Sequence, residues 1–326
     1  MRCISRAKSA ALVCVASISL FTGGCIGGKG ATPVTAYELK NYNQDLYQGK
    51  LYAEELCVAQ NDVALEGYTE DTELHSAALF DLTGERVLYS CKAHERLYPA
   101  STTKIMTALL ENANLDDQVT ISGNADASSF PADAQVCGLA KGEVWTLRDL
   151  LGALLLYSGN DAATAIAEYI GGSEEAFVNM MNRRAQELMA NGTHFMNPHG
   201  LHDDNHYTTA YDLYLIFNEC IKHEDFVNII QSEAYTAYYT DVDGNSQEAL
   251  FTPTNLYAQG EVDVPENVTI VGGKTGTTDE AGYCLILMEK DSSDNPYISI
   301  VMGASEKPVL YEDMTSLIEA IPSGQQ

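Results

Sequence analysis

The chain has 326 residues, 45% hydrophobic and 20% charged, a composition that excludes a disordered or fibrous protein and leaves length for one large domain or two small ones. Its 46 Asp and Glu residues outnumber 18 Lys and Arg for a formal net charge of -28, which argues against nucleic acid and anionic membrane surfaces as partners, because both need a basic footprint.

Arg2, Arg6 and Lys8 make a positive start, and Ser9 to Thr22 is mostly apolar yet too short to span a bilayer comfortably. Residues 1–24 therefore read as an export signal outside the fold. The segment closes on Phe21-Thr22-Gly23-Gly24-Cys25, which resembles a bacterial lipoprotein processing site with Cys25 as lipid acceptor, although Thr22 stands where that pattern usually has Leu. Plain secretion with cleavage nearby is the alternative. Residues 25–71 open with Gly27-Gly28-Lys29-Gly30 a few positions in, stay polar and show little periodicity, which suits a tether ahead of a folded domain over 72–322. The later cysteines, Cys57, Cys91, Cys137, Cys220 and Cys284, are widely separated and form no CxxC pair, so zinc and thioredoxin signatures are absent. Their odd number predicts an unpaired thiol or an intermolecular bridge.

Ala77-Ala78-Leu79-Phe80-Asp81-Leu82 and Arg86-Val87-Leu88-Tyr89 read as two strands joined by a turn at Thr83-Gly84. Pro99 disfavours helix in the residue before it, so a helix begins only about Ser101, with Ile105, Met106, Leu109 and Leu110 as its apolar stripe. Leu147, Leu150, Leu151 and Leu154 recur at helical spacing; the pattern stops at Ser158-Gly159-Asn160 and resumes at Ala162, Ile166 and Ile170. Helical patterns continue through 177–189 and 213–221. Three short apolar runs, 268–271, 283–288 and 297–302, then read as antiparallel strands, followed by a helix over 314–321. The expectation is an α+β domain, one sheet of about five strands assembled from both ends of the chain, flanked by helices, with a mainly helical subdomain between.

Three polar motifs interrupt these elements. In Ser101-Thr102-Thr103-Lys104, three-residue spacing puts the serine and lysine on one helical face, where a base can take the hydroxyl proton. The bland alternative is a serine cap with an exposed lysine. Ser158-Gly159-Asn160 equally suits a turn between helices, with Asn160 or Asp161 as the next cap. Gly272-Gly273-Lys274-Thr275-Gly276 is no phosphate loop, since Val268 occupies the first glycine position and a strand pattern follows. What remains is a hairpin turn with an exposed lysine, or a cation and hydroxyl on a strand edge facing an anion. His194, His199, His202 and His206, with Asp203 and Asp204, resemble a zinc tract, but Pro198 and Gly200 make the segment a loop and structural hydrogen bonding is the expected role; no metal is expected.

Over residues 72–320 the chain resembles the serine-type D-Ala-D-Ala carboxypeptidases, the low-molecular-mass penicillin-binding proteins of peptidase family S11. The likeness is carried by residues 96–104, 157–163, Asn197-Pro198-His199-Gly200-Leu201, and 273–278 with Ala281-Gly282. It implies a β-lactamase/transpeptidase-like fold and hydrolysis without a cofactor. Ser101 is then the nucleophile, Lys104 its base, kept neutral by partial desolvation or by a nearby cation for which Lys274 is the candidate, and Ser158 the proton relay. Asn160 holds a substrate amide, Lys274, Thr275 and Thr277 bind the terminal carboxylate, and the backbone N–H groups of Ser101 and Thr277 form the oxyanion hole. An arginine that often assists downstream is missing from Ser305-Glu306-Lys307-Pro308, which leaves Lys307 as its substitute. Peptidoglycan stem peptides are the implied substrates and β-lactams the implied inhibitors. The implied location is the outer face of the bacterial cytoplasmic membrane, with an N-terminal lipid replacing the C-terminal anchor of many family members; free secretion is the alternative. A β-lactamase of the same fold is the nearest rival, but its Glu-x-x-Leu-Asn string does not occur between Asn160 and Lys274. A non-catalytic wall-binding module has no need of nucleophile, base and relay at once.

Overall fold

The computed structural model describes residues 55–59, 61–65, 76–109 and 114–322. The export signal, Cys25 and the tether up to residue 54 lie outside the described residues.

The first strand, β1 (Ser76–Asp81), turns tightly into β2 (Arg86–Cys91). The Asp81 carboxylate accepts the Gly84 N–H at 2.8 Å and pairs with Arg86 at 2.6 Å. Much later in the chain come β7 (Val268–Thr278), β8 (Gly282–Asp291) and β9 (Pro296–Ala304). The five strands form one antiparallel sheet in the order β2-β1-β9-β8-β7, so the two ends of the domain meet where β1 pairs with β9. Strand alternation sends Ala78, Phe80, Cys284, Ile286 and Met288 to one face and Ala77, Leu79, Leu285 and Leu287 to the other. Both faces are covered, which is why these runs look continuously apolar. Each such fully buried Leu, Ile or Phe contributes about 1.5–3 kcal/mol.

The first face packs on the helical half of the chain. A 3-10 turn, Ala100–Thr103, leads into α1 (Lys104–Ala108). After the short strands β3 (Gln118–Thr120) and β4 (Val144–Thr146), α2 (Leu147–Gly152) continues through a π-helical turn, Ala153–Tyr157, and α3 (Asn160–Gly171) follows. Ala162, Ala163, Ala165 and Ala167 give α3 a small-residue surface that other elements approach closely, and Gly172 ends it in a left-handed conformation. Then come α4 (Glu174–Glu187), α5 (Ala210–Cys220) and α6 (Glu224–Ile230), with Ser173 and Thr209 accepting first-turn N–H groups of α4 and α5. The short α7 (Leu256–Gln259) precedes β7, and α8 (Lys307–Glu319) covers the second sheet face through Leu310, Met314, Leu317 and Ile318.

Three expectations change. The helical middle also holds a second sheet, in the order β3-β4-β5-β6, whose hairpin β5 (Tyr235–Thr240) and β6 (Ser246–Phe251) the apolar pattern did not show. Its outer face is exposed, so the strands carry Tyr and Thr where a buried strand carries Leu and Ile; Trp145 stacks on Tyr239 at 4.3 Å. Second, β7 runs beyond the expected 268–271 through Lys274-Thr275-Gly276 to Thr278, which rules out the turn among the two alternatives for that motif. Third, part of the stretch read as tether is docked on the domain: the Cys57 N–H donates to the Tyr214 hydroxyl at 2.9 Å, Cys57 and Ala59 are buried, and Val63 bridges Ser90. Among the described residues, Cys57, Cys91, Cys137, Cys220 and Cys284 form no disulfide with one another.

Candidate active site

Ser101 stands in the 3-10 turn between Pro99 and α1, and Ala100 before it is left-handed at φ +47°. That conformation costs a residue with a Cβ on the order of 1–3 kcal/mol and persists only where the surroundings over-determine it. Here the Thr102 hydroxyl donates to the Pro99 carbonyl at 2.7 Å, and two glycine backbones press on the turn. A Cβ on Gly276 would lie 3.0 Å from the Ser101 nitrogen, and one on Gly200 would lie 1.9 Å from the Ala100 carbonyl oxygen.

One turn on, Lys104 is fully buried. Its Nζ donates to Asn160 Oδ1 and to the His199 carbonyl, both at 2.6 Å, and meets Ser101 Oγ at 3.0 Å. Two of these neighbours are obligate acceptors. A neutral amine spends its two N–H groups on them and turns its lone pair toward the Ser101 hydroxyl. Burial holds Lys104 well below the usual lysine range, and the nearby Lys274 cation adds to the effect.

Ser158 caps the π-helical turn in a left-handed conformation at φ +70°, which points the chain into α3 through Gly159. The irregular turn places a serine where a regular helix would have continued. Its Oγ accepts from Lys274 Nζ at 2.9 Å, and Lys274 also donates to the Thr275 carbonyl at 2.8 Å. Lys274 is buried on edge strand β7, and burial lowers it to about 7. A substrate carboxylate beside it would favour the charged form.

These groups surround a cavity of about 350 Å³ whose lining includes Ser101, Ser158, Asn160, Thr275, Thr277 and Lys307. The two lysines of the motifs lie behind its wall, whereas Lys307 reaches it from the first turn of α8. A second cavity, about 500 Å³ beside Arg96, Tyr98, Asp204 and Glu280, is lined by neither Ser101 nor Lys104, Ser158 or Lys274. The sequence motifs thus converge, and Lys274 lies buried on strand β7 and not in an exposed turn.

Sequence reasoning left out several supports. The Asp161 carboxylate accepts the N–H groups of Cys137, Gly138 and Leu139 at 2.9, 2.9 and 3.0 Å, while the Asn160 N–H donates to the Gln135 carbonyl at 2.8 Å. The segment carrying Gln135 is thereby tied over the site. Asp161 adjoins the second motif and was legible only as a helix cap. Thr254 bonds Thr275 through their hydroxyls at 2.5 Å, and no local pattern marked it. Of the histidines, burial lowers His199 to about 3 and His206 to about 4, so both are neutral, while His202 pairs with Asp204 and His194 bonds the Asn205 carbonyl.

A sequence profile described as D-alanyl-D-alanine carboxypeptidase, peptidase family S11, matches residues 64–306. D-alanyl-D-alanine carboxypeptidase DacF of Bacillus subtilis (strain 168) is 35% identical over 251 residues, 76% of this chain and 61% of its own length. DacC of Escherichia coli (strain K12) is 30% identical over 249 residues, 74% of this chain and 59% of its own. The chain thus spans about six tenths of the length of these curated relatives. Among solved structures, the Streptomyces K15 DD-transpeptidase superposes with a TM-score of 0.71 at 28% identity, covering 78% of this chain and 98% of that one.

Proposed function

The chain belongs to the D-alanyl-D-alanine carboxypeptidase family, peptidase family S11, and from that premise we propose that it is a serine carboxypeptidase that removes the terminal D-alanine from peptidoglycan stem pentapeptides. The observation that carries this reading is the Lys104 amine, whose two obligate acceptors leave its lone pair for the Ser101 hydroxyl. The Ser101 Oγ–H proton passes to Lys104 as Oγ attacks the carbonyl carbon of the penultimate D-alanine. Negative charge on the carbonyl oxygen meets the backbone N–H groups of Ser101 and Thr277, each such donor contributing about 10²- to 10³-fold in rate. The peptide C–N bond then breaks as Ser158 gives its hydroxyl proton to the leaving amine and takes up the proton held by Lys104. Water, losing a proton to the neutral Lys104, hydrolyses the ester, and that proton returns to Ser101 Oγ. Asn160 holds a substrate amide. Lys274, Thr275 and Thr277 receive the terminal carboxylate, assisted by Lys307 in place of an arginine.

The experiment is intact mass of the processed chain incubated with benzylpenicillin and, separately, with a peptide ending in D-Ala-D-Ala. A stable penicilloyl adduct on Ser101 and loss of one alanine from the peptide are expected. Rapid destruction of penicillin at many equivalents would indicate the β-lactamase instead, and neither adduct nor cleavage would indicate a binding module. Lys307→Ala is expected to raise KM for the peptide roughly 5-fold with kcat little changed, the scale of one solvent-exposed ion pair; unchanged KM would remove Lys307 from the carboxylate site.

The proposed layout is an export signal over 1–24, a tether from Cys25, and the catalytic domain ending near 322, and the contacts of Cys57 and Val63 with that domain support a start upstream of residue 72. Lipid on Cys25 would hold the enzyme at the outer face of the cytoplasmic membrane, and secretion without lipid is the alternative. No helix among the described residues is long and apolar enough to cross a membrane. A mass increase on the N-terminal peptide matching a diacylglyceryl group would separate the two.

A further inference from the structure

The imidazoles of the histidine-rich loop remain without a part in the proposed chemistry, since none is among the groups lining the cavity. The loop nevertheless grips the nucleophile's turn at three points. Thr107 Oγ1 donates to the Pro198 carbonyl at 2.5 Å, Lys104 Nζ to the His199 carbonyl at 2.6 Å, and His206 Nε2 meets Thr103 Oγ1 at 2.8 Å. The first two contacts rely on loop backbone. The third joins two side chains, at 0% and 2% exposure, of which Thr103 lies inside the four-residue segment that holds Ser101 and Lys104.

The direction of that bond follows from its surroundings. His206 Nδ1 accepts the Met196 N–H at 3.2 Å, so a neutral ring carries its proton on Nε2 and donates to Thr103. The Phe195 ring stands edge-on to the imidazole at 5.6 Å, and Asn182 of α4 clamps Phe195 by donating to its carbonyl and accepting its N–H, both at 2.8 Å. A continuous set of bonds therefore runs from α4 through the loop to the turn that holds the left-handed Ala100. Strained backbone at such a place needs that kind of external support.

We propose that His206 is a positioning residue for acyl transfer, fixing through Thr103 the separation and orientation of Ser101 Oγ and Lys104 Nζ. This rests on the reading of Ser101 as nucleophile and Lys104 as base. His206 touches neither substrate nor a reacting atom, so its effect falls on the rate of the chemical step and not on substrate affinity.

The test measures the acylation rate constant and the dissociation constant of the non-covalent complex separately, with benzylpenicillin and the processed chain, per labelable active site. His206→Phe keeps the ring and its packing but removes both nitrogens; the acylation rate constant is expected to fall roughly 10- to 100-fold with the dissociation constant unchanged. His206→Gln retains a donor toward Thr103 and is expected to recover most of the rate. Thr103→Val, nearly isosteric, should lose as much as His206→Phe, and the double variant should lose no more than either. Native acylation rates in His206→Phe, or in Thr103→Val if His206→Phe does not fold, would overturn the proposal. So would a loss in His206→Phe that Thr103→Val does not share. If the unaltered protein forms no adduct, the functional reading fails first; if it acylates and the variants acylate equally fast, only the role of His206 fails.

Discussion

Ser101→Ala is expected to abolish penicilloyl labelling and alanine release while changing stability by only about 1 kcal/mol, because one hydrogen bond to Lys104 is lost and the turn is held by other contacts. Lys104→Gln is expected to keep Ser101 but lower the acylation rate about 10²- to 10⁴-fold, the usual contribution of a positioned base. The pH dependence separates a base from a merely structural lysine. Lys104 is active without its proton, so kcat/KM rises as pH climbs through its ionisation, which burial and Lys274 place well below the ordinary lysine value of about 10.4. Lys274 acts with its proton, so loss of that proton, lowered to about 7 by burial, brings the falling limb. The result is a bell whose two apparent pKa values belong to the lysine pair. A profile that rises only above about pH 10 would exclude Lys104 as the base. Persistent labelling of Ser101→Ala would exclude the nucleophile.

Gly200→Ala is expected to be nearly as damaging, although Gly200 bears no reactive group. Its φ is +90°, where an L side chain is strained, and the added Cβ would lie 1.9 Å from the Ala100 carbonyl oxygen and 3.0 Å from the Ser101 nitrogen. No rotamer change relieves this, since the obstructing atoms are backbone. Either the loop withdraws and takes the His199 carbonyl from Lys104, or the turn moves and takes Ser101 from its position. Either displacement is expected to cut acylation by about 100-fold or more, with a stability loss of about 1–3 kcal/mol from the strain alone. The checks are the single-turnover acylation rate and the thermal midpoint. Native acylation in Gly200→Ala would mean that the loop does not constrain the nucleophile.

Some of this architecture was legible residue by residue. The strands from Ala77 to Phe80 and from Leu285 to Met288 are apolar because the sheet is covered on both faces, and the chain's two ends supply them. The β5-β6 hairpin escaped because its outer face is exposed: a Tyr- and Thr-rich run before Asp243-Gly244 carried a propensity and turn signal but no apolar period. At the candidate site, the motifs marked residues that the fold brings together, and their spacing along one helical turn was enough to pair Ser101 with Lys104.

What the sequence determined by itself was therefore local: a serine and a lysine within one turn, a serine and an asparagine at a helix start, and a lysine next to a glycine-rich strand. Only the tertiary structure decided that Lys104 meets Asn160 across 56 positions, that Thr103 meets His206 across 103, and that Lys274 meets Ser158 across 116. Periodicity reports which face of an element is buried. Contacts between elements depend on how those faces pack, and no spacing along the chain records them. Burial is equally a property of the packed state, and it is burial that lowers both Lys104 and Lys274 below the ordinary lysine range.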